Sequence, residues 1–262
     1  MGSLLDHPGW VVTLVIVGIL VLIAIAFAFI AARWRIEDDP RQNEVAGAFA
    51  HLVGITYAVL LGFMVVVSWE SYDRAVLDTQ IESSALGDLY RTVSGFPSAS
   101  RDRVRADIAA YVRLMYVAEW PAMQHGGESD RAQLRADRIV SEVDALRPKD
   151  FAEQNLQAES LTLAHAFLDA RRRRLTKNQE GMPAMLWWTL WIGALVSIGF
   201  TFFMRVRSQG RQMAMAVGLA VIIGLLFSLV VEFEYPYRGE ITVPVTAWEQ
   251  LDRALTSGVY SR

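Results

Sequence analysis

The sequence predicts an all-α membrane protein: four transmembrane helices, with a helical extramembrane domain between spans 2 and 3. Three observations predict it. Four apolar blocks without Asp, Glu, Lys or Arg, Trp10 to Ala32, Val45 to Trp69, Leu186 to Met204 and Met213 to Val231, run for 19 to 25 residues each. A helix rising ~1.5 Å per residue needs roughly 20 residues to cross ~30 Å of hydrocarbon. Aromatic rings that favour the headgroup level gather at the block ends: Trp10, Trp34, Trp69, Tyr72, Trp187, Trp188 and Trp191. Between the second and third blocks lies a charged segment, Glu70 to Pro183, with helix-period apolar residues.

In lipid an unpaired backbone amide costs several kcal/mol, so each block closes its hydrogen bonds within itself as a helix. The first block is read as a retained span, because no Lys or Arg precedes it while Arg33 and Arg35 follow it. The chain divides into 1–69, spans 1 and 2 with a short linker; 70–183, the helical domain; 184–231, spans 3 and 4; and 232–262, a tail that folds against the domain or the bilayer.

Within the domain four amphipathic helices are predicted. The first continues span 2 to about Ser94, and the others cover about Ser98 to Trp120, Ser129 to Leu146 and Asp150 to Asn178. Gly95 with Pro97, Pro121 with Gly126 and Gly127, and Pro148 punctuate them, and Asp150 with Glu153 fits a capping box. Leu161, Ala164, Leu168 and Leu175 keep a heptad-like spacing, but the pattern would need an apolar residue at 171, where Arg stands.

Composition narrows the function. Apolar residues make up 53% of the chain, above the roughly 45–50% of soluble domains. A net charge of −3, without basic residues interleaved with aromatics, gives no nucleic-acid reading. With no cysteine, disulfides, thiolate metal sites and cysteine nucleophiles are excluded. The histidines at 7, 51, 125 and 165 have no metal-ligand spacing, and no phosphate loop or nucleophile elbow occurs. No enzyme, metal or cofactor is read. Glu232 and Glu234, with Glu240 beyond, form a carboxylate cluster that suits either a water-exposed helix end or a cation.

Small residues recur at every fourth position in all four spans: Ala24, Ala28 and Ala32; Ala46, Ala50, Gly54, Ala58 and Gly62; Gly193, Ser197 and Thr201; Ala216, Ala220, Gly224 and Ser228. Helices in lipid associate through such stripes, so each span expects neighbours from its own chain or from other copies. A homo-oligomer is expected. On a wheel at ~100° per residue, Gly47, His51, Gly54, Ala58, Gly62, Val65 and Trp69 share one face of span 2. This face suits a pore lining, and it equally suits dense packing. His51 is the one histidine inside a span, which makes it a functional candidate or a simple donor to a carbonyl.

Arg171, Arg172, Arg173 and Arg174 are consecutive and sweep about 300° of a helix, so they cannot share one solvated face. At least one must pair with a carboxylate, reach another subunit or meet a lipid phosphate. They are candidates for headgroup contact or for a basic vestibule that concentrates anions.

Several residues together resemble the bacterial bestrophin-like membrane proteins. They are Asn43, Ile55, Tyr57 to Phe63, Trp69 and Glu70, Glu82, Leu89 to Arg91, Pro97, Tyr111, Glu119 to Pro121, the Arg171 to Arg174 stretch, Pro183 with Trp187, and Pro236 to Gly239. The resemblance covers nearly the whole chain through the order of these elements. It implies distant similarity to bestrophins, oligomeric anion channels with four spans, a cytoplasmic helical domain and a pore lined by the second span. No bestrophin neck or calcium-binding motif is found in this sequence.

Orientation is divided. Six Arg near the span ends on one side, Arg33, Arg35, Arg41, Arg205, Arg207 and Arg211, face Arg74, Arg171 to Arg174 and Lys177 on the other. The first span alone favours an outside N-terminus and an extracytoplasmic domain; the resemblance favours a cytoplasmic one, which is carried forward. The expectation is a bacterial inner-membrane, oligomeric channel for small ions, anions before cations, with membrane lipids and copies of itself as partners. The rival is a non-conducting scaffold or signalling protein whose helical domain binds a partner.

Overall fold

In the computed structural model, residues 7–33, 40–203 and 208–257 are described. Trp34, Arg35, Met204, Arg205 and Arg207, and the side chains of Ala32, Arg41 and Asn43, lie outside the described residues. The described elements are helical throughout, and four helices are long and apolar enough to cross a membrane. They are α1 (Gly9–Arg33), the membrane part of α2 (Pro40–Thr92), α7 (Ala184–Phe203) and α8 (Gln209–Glu234). The other helices are α3 (Ser98–Leu114), α4 (Trp120–Gln124), α5 (Asp130–Asp144), α6 (Phe151–Gln179) and α9 (Thr246–Thr256).

The chain forms two compact units, residues 1–71 with 181–234, and residues 72–180 with 235–262. Helix α2 contributes to both. Its 53 residues rise about 80 Å, and no Pro or Gly interrupts it between Gly62 and Gly87.

In the first unit, α1 packs along α8, and α7 lies against both. The buried side of α1, Val12, Ile16, Leu20, Ala24 and Ala28, repeats every four residues and meets a stripe on α8 of Ala216, Ala220 and Gly224. Glycine is needed at 224: a Cβ there would stand 3.0 Å from the Val17 backbone. A Cβ at Gly193 would run into the ring of Tyr57, whose hydroxyl donates to the Leu190 carbonyl at 2.9 Å. Glu232 and Glu234, expected at a water-exposed helix end, are both buried.

In the second unit, α3, α5, α6 and α9 enclose a core of Leu86, Leu89, Val104, Ile108, Ile139, Phe167 and Trp248 among others. Ser129 caps α5 by accepting from Ala132 N, and Asp150 caps α6 by accepting from Glu153 N at 2.8 Å. The second predicted helix runs past Trp120. A π turn, Met115–Glu119, ends α3, and α4 continues with Pro121 in its first turn, where a missing N–H costs little. The tail holds a helix, α9, that the sequence reading leaves out; its Trp248 is fully buried and meets Tyr111 edge-on.

Candidate functional site: an open face on α2 and a buried ion cluster

The six pore-lining candidates lie on a part of α2 that its own chain leaves largely open. Gly47, Gly54, Gly62 and Val65 are partly exposed, and His51 and Ala58 are exposed. A Cβ built at Gly47, Gly54 or Gly62 would meet nothing within 4 Å. What holds α2 within its unit is a neighbouring face, Tyr57, Leu61, Met64 and Ser68, about 90° round the helix at ~100° per residue. The stripes therefore divide. Ala24 and Ala28 on α1, Gly193 and Ser197 on α7 and the stripe on α8 are packed or buried within the chain, and the one on α2 is largely not. Part of it, Gly47, His51, Gly54 and Ala58, borders a groove of about 450 Å³ whose opposite wall carries Ser197, Thr201 and Leu219. Among the described residues no three His, Asp or Glu stand together as a metal site would require.

The four arginines separate by burial. Arg172 and Arg173 are exposed and pair with Asp169 and Asp78. Arg171 and Arg174 turn inward, 1% and 0% exposed. Arg174 forks onto Glu82, with Nε to Oε2 at 2.6 Å and Nη2 to Oε1 at 3.0 Å. Arg171 Nη1 donates to Glu119 Oε1 at 2.6 Å and to the Tyr111 hydroxyl at 2.9 Å, and that hydroxyl donates to Glu82 Oε1 at 2.5 Å. The second Glu119 oxygen accepts from Ser129 N at 3.0 Å, and Arg171 Nε donates to Gln133. Two cations and two anions cancel, which lets four charges stay in a dry interior. Burial pulls the Arg174 guanidinium down, but Glu82, Tyr111 and Glu119 more than offset it, leaving it well above its ordinary value. Burial, with the Glu82 charge, pushes the Tyr111 phenol well up, so it stays a neutral donor.

Glu82 comes from α2, Tyr111 from α3, Glu119 from the π turn, and the arginines from successive turns of α6. Nearby, the tail segment 236–239 straps the same unit. The Tyr237 hydroxyl donates to the Ala75 carbonyl, and Arg238, its guanidinium packed on Gly126 at φ +76°, donates to the Asn178 carbonyl at 2.7 Å. Many residues that carried the family resemblance thus meet around one buried cluster.

The fold defines the class first: a helical membrane protein with four spans and a helical unit joined to them through one continuous helix. A model of the Bestrophin-like domain matches residues 14–248, and the chain belongs to that family. Solved structures with the same fold include a bacterial bestrophin homolog from Klebsiella pneumoniae phased with zinc, 16% identical with a TM-score of 0.66 over 93% of this chain and 97% of that one. A point mutant of the Klebsiella pneumoniae homolog gives 15% identity and a TM-score of 0.67 over 93% and 99%. A structure described only as a membrane protein variant gives 15% and 0.65 over 94% and 97%. No curated protein matches the chain significantly.

Proposed function

We propose that the chain assembles into an oligomeric channel for small ions, anions in preference to cations, in a bacterial inner membrane with its helical unit on the cytoplasmic side. The observation that carries this reading is the unused face of α2. Gly47, His51, Gly54, Ala58, Gly62 and Val65 form a weakly polar strip that this chain does not cover, on the helix that runs unbroken into the extramembrane unit. Copies arranged around an axis would turn these strips toward one another. Glycine and alanine leave width for an ion with part of its hydration, and apolar constrictions gate by dewetting. Family membership supports the same reading.

The preference for anions draws on Arg172 and Arg173, which are exposed and whose solvated pairs with Asp169 and Asp78 can open towards an anion or a lipid headgroup. Arg171 and Arg174 are already matched by Glu82 and Glu119. The rival, a non-conducting scaffold, uses the α2 strip only to pack helices. The test is purified, assembled protein in chloride-loaded liposomes under an imposed gradient. A channel collapses the gradient; folded oligomer with no flux above empty vesicles selects the scaffold.

A further inference from the structure

In the unit built from 72–180 and 235–257, three large apolar side chains stand furthest out of the surface: Val117, Leu134 and Phe151, at 69%, 70% and 77% exposed. Two of them share one place. Val117 and Leu134 line a groove of about 490 Å³ between α3 and α5, with Arg113, Arg131, Arg135 and Arg138 along it. Arg135 and Arg138 are engaged with Asp107 beneath them. Arg113 and Arg131 have no carboxylate partner among the described residues. The groove is therefore an apolar slot with two uncompensated positive charges on its rim.

The third residue is an apolar knob with two carboxylates beside it, each accepting one backbone N–H and keeping a second oxygen for another donor. Phe151 projects at the start of α6 between Asp150 and Glu153, with Arg147 and Lys149 just before them. It cannot fill the groove of its own chain. Gln133, beside Leu134, is bonded to Arg171, which lies 20 residues along α6 from Phe151, a rise of about 30 Å.

We infer that Phe151 of a second copy seats in this groove against Val117 and Leu134, with Glu153 of that copy facing Arg131 and Asp150 of that copy on the side of Arg113. The inference rests on the oligomer proposed above and deepens it. A slot and a knob on different parts of one chain make a head-to-tail contact, and repetition of such a contact closes a ring when the rotation allows. An aromatic anchor in an apolar slot, with charges at the rim, is the usual composition of an interface centre.

The absence of native cysteine gives a direct test. A chain carrying both Leu134→Cys and Phe151→Cys, oxidised in membranes, should run on a non-reducing gel as a ladder ending at one closed species. Chains with either substitution alone should not cross-link, and the two singles co-expressed should stop at dimers. Val117→Cys with Phe151→Cys repeats the test from the other wall. In detergent, Arg131→Glu or Phe151→Asp should raise the dissociation constant about tenfold or more, and Glu153→Arg should recover part of the Arg131→Glu loss. An oligomer verified by light scattering that gives no ladder with either pair, or that is unmoved by Arg131→Glu and Phe151→Asp, overturns this contact while leaving the channel reading standing. A protein monomeric in membranes overturns both.

Discussion

Replacing Glu82 by Leu removes the acceptor for both arms of Arg174 and for the Tyr111 hydroxyl, three hydrogen bonds at 2.5 to 3.0 Å. The cluster then holds two arginines against Glu119 alone. Of its two carboxylates Arg174 keeps the 3.4 Å approach to Glu119 Oε1, beside neutral contacts to Met123 and Tyr111, and both guanidinium groups remain cut off from water. Removing one partner of a buried pair costs about 3–5 kcal/mol, because the surviving charge stays buried. The loss is read by denaturant titration in detergent, following tryptophan fluorescence; Trp120 and Trp248 lie in this unit.

Two companions make the reasoning testable. Arg173→Ala removes a pair whose cation is 51% exposed, so it should cost about 0–1 kcal/mol. Glu82→Leu combined with Arg174→Met removes one cation with one anion and leaves Arg171 on Glu119, so it should cost less than Glu82→Leu alone. A Glu82→Leu loss below about 1 kcal/mol, or a double variant costing the sum of its parts, would refute the view that charge balance holds this cluster together.

Among the spans, Gly224→Ala should cost about 1–3 kcal/mol in an unfolding titration because its Cβ presses on the Val17 backbone. Gly54→Ala, whose Cβ meets nothing within 4 Å, should leave that titration unchanged. Burial pushes the Tyr237 phenol up to about 12 from its ordinary 10.0. The folded state keeps that proton after the unfolded chain has lost it, so this stability is intact below pH 10 and fades as pH rises towards 12. Tyr237→Phe should flatten that part of the alkaline decline in a pH series of melting curves. Trp248→Ala should cost about 3–5 kcal/mol through the cavity it opens under Tyr111.

The spans were legible because lipid leaves the backbone one local solution, so length and absence of charge were enough. The continuation of span 2 was also legible, since no breaker stands between Gly62 and Gly87. Arg171 announced itself by occupying an apolar register on α6, and its burial explains why. Its partners could not be read. Glu82, Tyr111 and Glu119 lie between 52 and 92 residues from the arginines they meet, and nothing local encodes so distant a pairing. α9 was missed although Trp248, Leu251 and Leu255 keep helical spacing, because the prolines and glycine before it drew the reading to a tail folded against the domain or the bilayer, with no helix assigned. The small stripes looked alike in sequence. Only packing separates Gly224 and Gly193, which other helices press upon, from Gly54, which none does.

The proposed channel requires that this α2 strip face water in the assembled protein. A thiol scan tests it, since the chain lacks cysteine. Gly47→Cys, Gly54→Cys, Ala58→Cys and Gly62→Cys are compared with Val59→Cys and Phe63→Cys on the far side of the helix, in liposomes exposed to a charged, membrane-impermeant thiol reagent. A water-facing strip gives rapid modification at the first four positions with a change in chloride flux, and none at 59 and 63. Modification absent from all four strip positions in a conducting, assembled protein would contradict it.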